Sequence, residues 1–138
     1  MPSSDEPPEI YVDRSLGQVI VPEALRQLGL TVQTEVSVFG HVPEGIADAV
    51  WLDRAAREGW IVFTKDARIR YRVAEISVLA ANKVKAFVLS GGNLSAPDQA
   101  QRFTRNIARI RRACRSEGPF VFAIREHGIE QLWPGEHG

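Results

Sequence analysis

Trp60-Ile61-Val62-Phe63-Thr64-Lys65-Asp66 is an apolar run that closes on a hydroxyl, a cation and an acid. Its reading decides the fold. A short run without polar alternation suits a strand buried on both faces of a sheet. Glu9-Ile10-Tyr11-Val12-Asp13 repeats the pattern nearer the start and also ends on aspartate. Thr31 to Val38 and Val84 to Leu89 read as two further strands, the first less apolar and so nearer a sheet edge. Strands alternating with helical segments imply βαβ units and a mainly parallel sheet. In such a sheet ligands bind outside the carboxyl ends of the strands, where strand order reverses. Carboxylates gathered there either hold a hard metal ion or act on a phosphate.

The intervals carry helical periodicity. Leu16 to Leu28 is predicted as a helix with Val19, Ile20, Leu25 and Leu28 inward and Gly29 as its stop; Pro22 is tolerated in a first turn. After a loop over Gly40 to Gly45, Ile46 to Glu58 reads as a helix that buries Ile46, Val50, Leu52 and Ala56 and closes at Gly59. Arg72 to Asn82 reads as a helix with Val73, Ile76, Leu79 and Ala80 inward. Pro97, at a plausible first helical position, with Asp98 in the first turn, opens one long helix to Ser116. Gly118-Pro119 breaks it, and Phe120 to Ile124 and Ile129 to Trp133 form a closing strand pair around His127-Gly128. The expectation is a flexible tail over residues 1–8 and a single domain over 9–134.

A chain of 138 residues with 44% apolar and 25% charged content can bury a real core, which argues against disorder. Lys+Arg and Asp+Glu cancel at 17 each, so the chain is no overall polycation. The single cysteine, Cys114, cannot form an internal disulfide and fits a reducing compartment. It falls on the apolar face of its helix and reads as a buried structural thiol. The Pro/Ser/acidic start lacks the pattern of a signal peptide, and no apolar run approaches the ~20 residues of a membrane span. A soluble, cytoplasmic protein is expected.

Asp13 and Asp66 each end a strand-like run, and each could be a helix cap or turn residue taken alone. Asp48 opens the helix between them. Asp53 lies ~140° from Asp48 around the helix and pairs with Arg57 four residues on, so it belongs to the solvated face. Glu44 is either a ligand or a first-turn charge, with Glu23 and Glu35 weaker candidates. Carboxylates crowded together raise one another's pKa unless a cation neutralises them. Oxygen-only ligands suit Mg²⁺ or Mn²⁺, and no Cys/His cluster favours zinc. His41, His127 and His137 have no metal or triad spacing and read as surface or loop residues. Such an ion binds a phosphodiester, lowers the pKa of a bound water and stabilises the leaving oxygen.

Taken in order, Ile10-Tyr11-Val12-Asp13-Arg14-Ser15-Leu16, Gly45-Ile46-Ala47-Asp48 and Ala55-Ala56-Arg57-Glu58-Gly59 with the strand to Asp66 resemble the PIN-like nucleases. Val88-Leu89-Ser90-Gly91-Gly92-Asn93-Leu94-Ser95 resembles the same group, and the likeness covers roughly residues 9 to 115. It implies a three-layer α/β/α fold and a metal-dependent endoribonuclease, commonly the toxin of a type II toxin–antitoxin pair of the VapC-like kind. By position, the resemblance makes Asp13, Asp48 and Asp66 the ligands of Mg²⁺ or Mn²⁺. It also implies an RNA substrate, a cognate antitoxin and a homodimer. The family's Glu after the first Asp is Arg14 here, and its acid two places after the third Asp is Arg68, so the acidic set is thinner.

Lys65, Arg68, Arg70 and Arg72 follow Asp66 at the mouth of the proposed crevice. They read as contacts to RNA phosphates, against the alternative of a solvated loop. Arg102, Arg105, Arg109 and Arg112 form a helical stripe beside Phe103, Ile107, Ile110 and Cys114, which is ordinarily a solvent face and otherwise a surface for RNA or an acidic antitoxin segment. Two other function classes compete. One is a catalytically silent PIN-like module that binds RNA or a protein. The other is a receiver-like phosphoacceptor domain, which would need an acidic pair after the first strand and a lysine after the fifth.

Overall fold

The computed structural model of the chain describes residues 9–70 and 73–134. The tail expected over 1–8 and His137 lie outside them. The strands are β1 (Glu9–Val12), β2 (Thr31–Thr34), β3 (Ile61–Thr64), β4 (Lys85–Leu89), β5 (Phe120–Arg125) and β6 (Gly128–Trp133). The helices are α1 (Ile20–Gln27), α2 (Glu35–Phe39), α3 (Asp48–Glu58), α4 (Val73–Ala81), α5 (Ala96–Arg105) and α6 (Ile107–Ala113), with 3-10 turns at Arg14–Leu16 and Ala67–Arg70. All the strands read from the sequence are present. They form one sheet in the order β2-β1-β3-β4-β5-β6, parallel throughout except for the antiparallel β5–β6 pair. The less apolar β2 is an edge strand, as its composition predicts.

Because successive strand side chains point to opposite faces, each apolar strand feeds two cores. Ile10, Val12, Ile61, Phe63, Phe87, Leu89, Phe120 and Ile124 pack with Leu25 of α1, Phe103 of α5 and Ile110 of α6 on one face. Tyr11, Val62, Ala86, Val88 and Val121 pack with Trp51, Leu52, Ala55 and Leu79 of α3 and α4 on the other. The result is the three-layer α/β/α arrangement with a buried, mainly parallel sheet.

Five local expectations are corrected. Helix α1 starts at Ile20, after a 3-10 turn and Gly17, so its buried residues are Val21, Pro22 and Leu25, while Val19, Ile20 and Leu28 are exposed. On α3 the inward face is Trp51, Leu52, Ala55 and Ala56, and Val50 faces solvent because the bulkier Trp51 sets the phase. On α4 Leu79 is buried, as read, but Ala80 is exposed.

Strand β2 stops at Thr34 instead of running to Val38. Thr34 Oγ1 accepts from the Ser37 amide at 3.2 Å and Ser37 Oγ accepts from the Thr34 amide at 2.8 Å. This reciprocal capping box starts α2 inside the expected strand.

The single helix expected from Pro97 to Ser116 is two helices joined at Asn106. Asn106 is fully buried, and its Nδ2 donates to the carbonyls of Arg102 at 2.9 Å and of Arg125 at 2.8 Å. The amide side chain ties the break to the end of β5, which a straight helix could not do. Asn106→Ala leaves both carbonyls without that donor and is expected to cost about 1–3 kcal/mol, read as a lower urea midpoint at unchanged slope.

Candidate active site

Strand β1 has β2 on one side and β3 on the other, so the chain leaves β1 in one direction and returns across it in the other. This is the switch point of the sheet, and a cleft of about 880 Å³ opens beside it. Its lining includes Asp13, Glu35, Asp48 and Asp66, together with Arg14, Lys65 and Arg68. The structure therefore brings the three sequence-predicted acids to one cleft.

Asp13 stands one residue past β1, and its amide donates to the Phe63 carbonyl at 2.9 Å, which extends the ladder toward β3. The carboxylate is buried and makes no capping bond to the turn that follows, so the N-cap alternative is set aside. Instead Asp13 Oδ2 accepts from Ser15 Oγ at 2.7 Å and from Thr64 Oγ1 at 2.7 Å. Each hydroxyl is used twice. Ser15 Oγ accepts from the Lys65 amide at 3.0 Å, and Thr64 Oγ1 accepts from the Asp66 amide at 3.1 Å. Burial raises the Asp13 carboxyl above the usual range and the charge of Asp48 adds to this, while the two hydroxyl bonds oppose it.

Asp66 accepts at Oδ1 from the Arg68 amide and from Arg68 Nε, both at 3.0 Å. Asp48 is the first residue of α3, where a negative charge suits the helix dipole, and its Oδ1 accepts from Trp51 Nε1 at 3.0 Å. Glu35 is the acid that the sequence undervalued. Expected within a strand, it occupies the first turn of α2 and is 4% exposed. Its Oε1 accepts from the Ile46 amide at 3.3 Å, and its Oε2 lies 3.5 Å from Arg14 Nη1. The signal that could have found it is Thr34-x-x-Ser37, a helix start that turns the following residue off the strand.

Beneath the carboxylates lies Tyr11. It is fully buried, and its hydroxyl has no hydrogen-bond partner among the described residues. Burial pushes the phenol far up, and the charges of Asp13, Glu35 and Asp48 push it further, so negative potential converges on this point. The donor set is all oxygen, as a hard divalent cation requires. Among the described residues no three Asp, Glu, His or Cys side chains close around a single point. That geometry is not a cage for a dehydrated ion; it fits one that keeps much of its water and is held through one or two carboxylates.

Of the predicted phosphate contacts, Lys65 is exposed on the cleft rim, and the Arg68 guanidinium is drawn onto Asp66. The Arg70 side chain and Arg72 lie outside the described residues. Asp53 pairs with Arg57 at 3.0 Å on the solvent face of α3, as read. The arginine stripe belongs to α5 and α6, where Arg102 donates to the Ser90 carbonyl at 3.0 Å and Arg109 to Asn106 Oδ1 at 3.2 Å. Cys114 is half-buried, and burial pushes its thiol up to about 11, in keeping with a structural role. No helix of the described residues is long and apolar enough to cross a membrane.

A family model described as a PIN like domain matches residues 8–91, more than half of the chain and the whole run from Asp13 to Asp66. The chain belongs to the PIN-like domain family. This PIN-like chain is also 34% identical over 124 residues, 89% of its length, to "Putative ribonuclease VapC45" of Mycobacterium tuberculosis, of which the match spans 90%. No solved structure matches it significantly. Family membership removes the receiver-like alternative, and β5 itself ends on Arg125 where that fold needs a lysine.

The hydroxyl network gives an ordering of stabilities. Thr64→Val deprives both Asp13 and the Asp66 amide of a buried partner and is expected to cost about 1–3 kcal/mol. Asp13→Asn keeps an acceptor oxygen and removes a buried charge, so it is expected to cost less and to stay within about 1 kcal/mol of the wild type. Urea unfolding of the metal-free proteins measures both.

Proposed function

We infer that this PIN-like chain is a metal-dependent endoribonuclease, the toxin of a toxin–antitoxin pair. The observation that carries the reading is the convergence of Asp13, Glu35, Asp48 and Asp66 on one cleft at the switch point of the sheet. Membership of the PIN-like family and the likeness to a protein named as a ribonuclease support it. In this reading the substrate is RNA, the partner is a cognate antitoxin, the protein works in the cytoplasm and its active form is a homodimer of a single domain over 9–134.

Asp13, Asp48 and Asp66 surround a hydrated divalent cation, Mg²⁺ or Mn²⁺, one or two of them binding it directly and the rest through its water, and Glu35 completes the acidic set in place of the acids missing at Arg14 and Arg68. When bound, such an ion polarises the phosphodiester and lowers the pKa of an attacking water. The chain's own groups do the positioning. Ser15 and Thr64 fix one oxygen of Asp13, whose side chain lines the cleft. Lys65, with Arg68, Arg70 and Arg72, contacts the RNA phosphates on the rim; such contacts orient the strand without reading its sequence. Arg14 steadies Glu35 and the loop before α3 through its bonds to Glu35 Oε2 and the Pro43 carbonyl, each at 3.5 Å.

The second reading, a silent RNA- or protein-binding module, is favoured by one feature: Arg14 and Arg68 lie on Glu35 and Asp66, two of the acids that cutting would need. Cleavage of a structured RNA pool in Mg²⁺, Mn²⁺ or EDTA separates the two. The nuclease reading expects metal-dependent cutting that falls at least about a hundredfold in Asp13→Asn and in Asp66→Asn, the scale of a lost metal contribution. Folded, antitoxin-free protein that cuts in no condition would establish the silent module instead.

A further inference from the structure

The mechanism leaves unused a slab of aromatic rings beneath the cleft. Tyr11 of β1 stacks on Trp51 of α3, with centroids 5.3 Å apart and planes 15° from parallel. Trp60, just before β3, lies nearly parallel to the same Tyr11 ring, at 6.0 Å and 6°. Trp51 is 1% exposed, and its indole N–H is spent on Asp48 Oδ1 at 3.0 Å. A buried indole N–H needs an acceptor, but many could serve; this one is a carboxylate in the cleft, one helical turn before the ring.

We propose that Trp51 is a positioning residue for the metal site, its indole N–H fixing the orientation in which Asp48 presents its carboxylate to the cation. The proposal rests on the reading of Asp48 as a ligand. A carboxylate at the start of a helix can adopt more than one rotamer, and Asp48 is only half-buried. The N–H holds one oxygen, and the stack holds the N–H. Because Tyr11 lies two residues before Asp13, the same slab sets the distance between the α3 acid and the β1 acid. Outer partners of this kind typically contribute ten- to a hundredfold in metal affinity.

Trp51→Phe keeps a ring in the stack and removes the donor. Mn²⁺ binding to the full chain, followed by calorimetric titration, is expected to weaken about 10- to 100-fold in Trp51→Phe. In an Asp48→Asn background the same substitution is expected to change the affinity less than about threefold, since the effect passes through Asp48. Replacement of Trp51 by 3-benzothienylalanine, which keeps the bicyclic shape without the N–H, gives the same loss without the cavity that phenylalanine leaves. Unchanged Mn²⁺ affinity in both variants would overturn the proposal, as would an equal loss with and without Asp48. A wild-type protein that binds no Mn²⁺ would overturn the metal-site reading as well, and so marks that failure apart.

Discussion

The buried carboxylate of Asp13 is the constraint around which the rest of this molecule is arranged. A charge taken out of water has to be compensated, and among the described residues the partners of Asp13 Oδ2 are two hydroxyls, Ser15 and Thr64. Those hydroxyls come from the turn after β1 and from the last residue of β3, so compensation is possible only if the two strands are neighbours in this register. Having donated to Asp13, they accept from the amides of Lys65 and Asp66. One carboxylate thus determines how the chain leaves both strands, and Asp66 is placed by the same bonds that hold Asp13.

Packing makes this arrangement rigid. The sheet is apolar on both faces, and the two cores meet it with different shapes: phenylalanines at 63, 87, 103, 120 and 122 cluster through edge and stacked contacts on the α5–α6 side. On the α3–α4 side the flat stack of Trp51, Tyr11 and Trp60 supports the cleft. A tyrosine at position 11 in place of phenylalanine brings a buried hydroxyl with no partner among the described residues, a cost of about 1–3 kcal/mol where no water serves. Such a cost beneath an acidic cleft is what is expected where local stability has been given up for a charged site.

The strands and their order of use were legible because buried parallel strands leave runs of apolar residues, and Asp13, Asp48 and Asp66 were legible because each follows such a run or opens a helix. Glu35 was not. Its placement depends on Thr34 and Ser37 exchanging hydrogen bonds, a preference of four residues that competes with β-propensity across Thr31 to Val38. The break at Asn106 was hidden for a related reason: helical periodicity continues through it, and the carbonyl of Arg125 that draws the side chain away lies far along the chain. Helix phase failed at Val50, where the larger Trp51 takes the core position, and Val19 and Leu28 fall just outside α1, which runs only over Ile20–Gln27. Local pattern decides which element forms; contacts between distant segments decide where it starts and what it faces.

Charge at the cleft narrows what the arginines at 14 and 68 do. Among the described residues the lining holds five acids, Asp13, Glu35, Glu44, Asp48 and Asp66, against three cations, Arg14, Lys65 and Arg68, a net charge of minus two. Without those two arginines the same lining would stand at minus four, and every carboxylate would be harder to ionise. With them, the lining of described residues carries the charge of one divalent cation with opposite sign. RNA is a polyanion, and a cleft at minus two repels it unless that charge is balanced. The arginines therefore do not need to be read as damage to an acidic site. Among the described residues they halve the net charge of the lining, and Lys65 stays exposed on the rim.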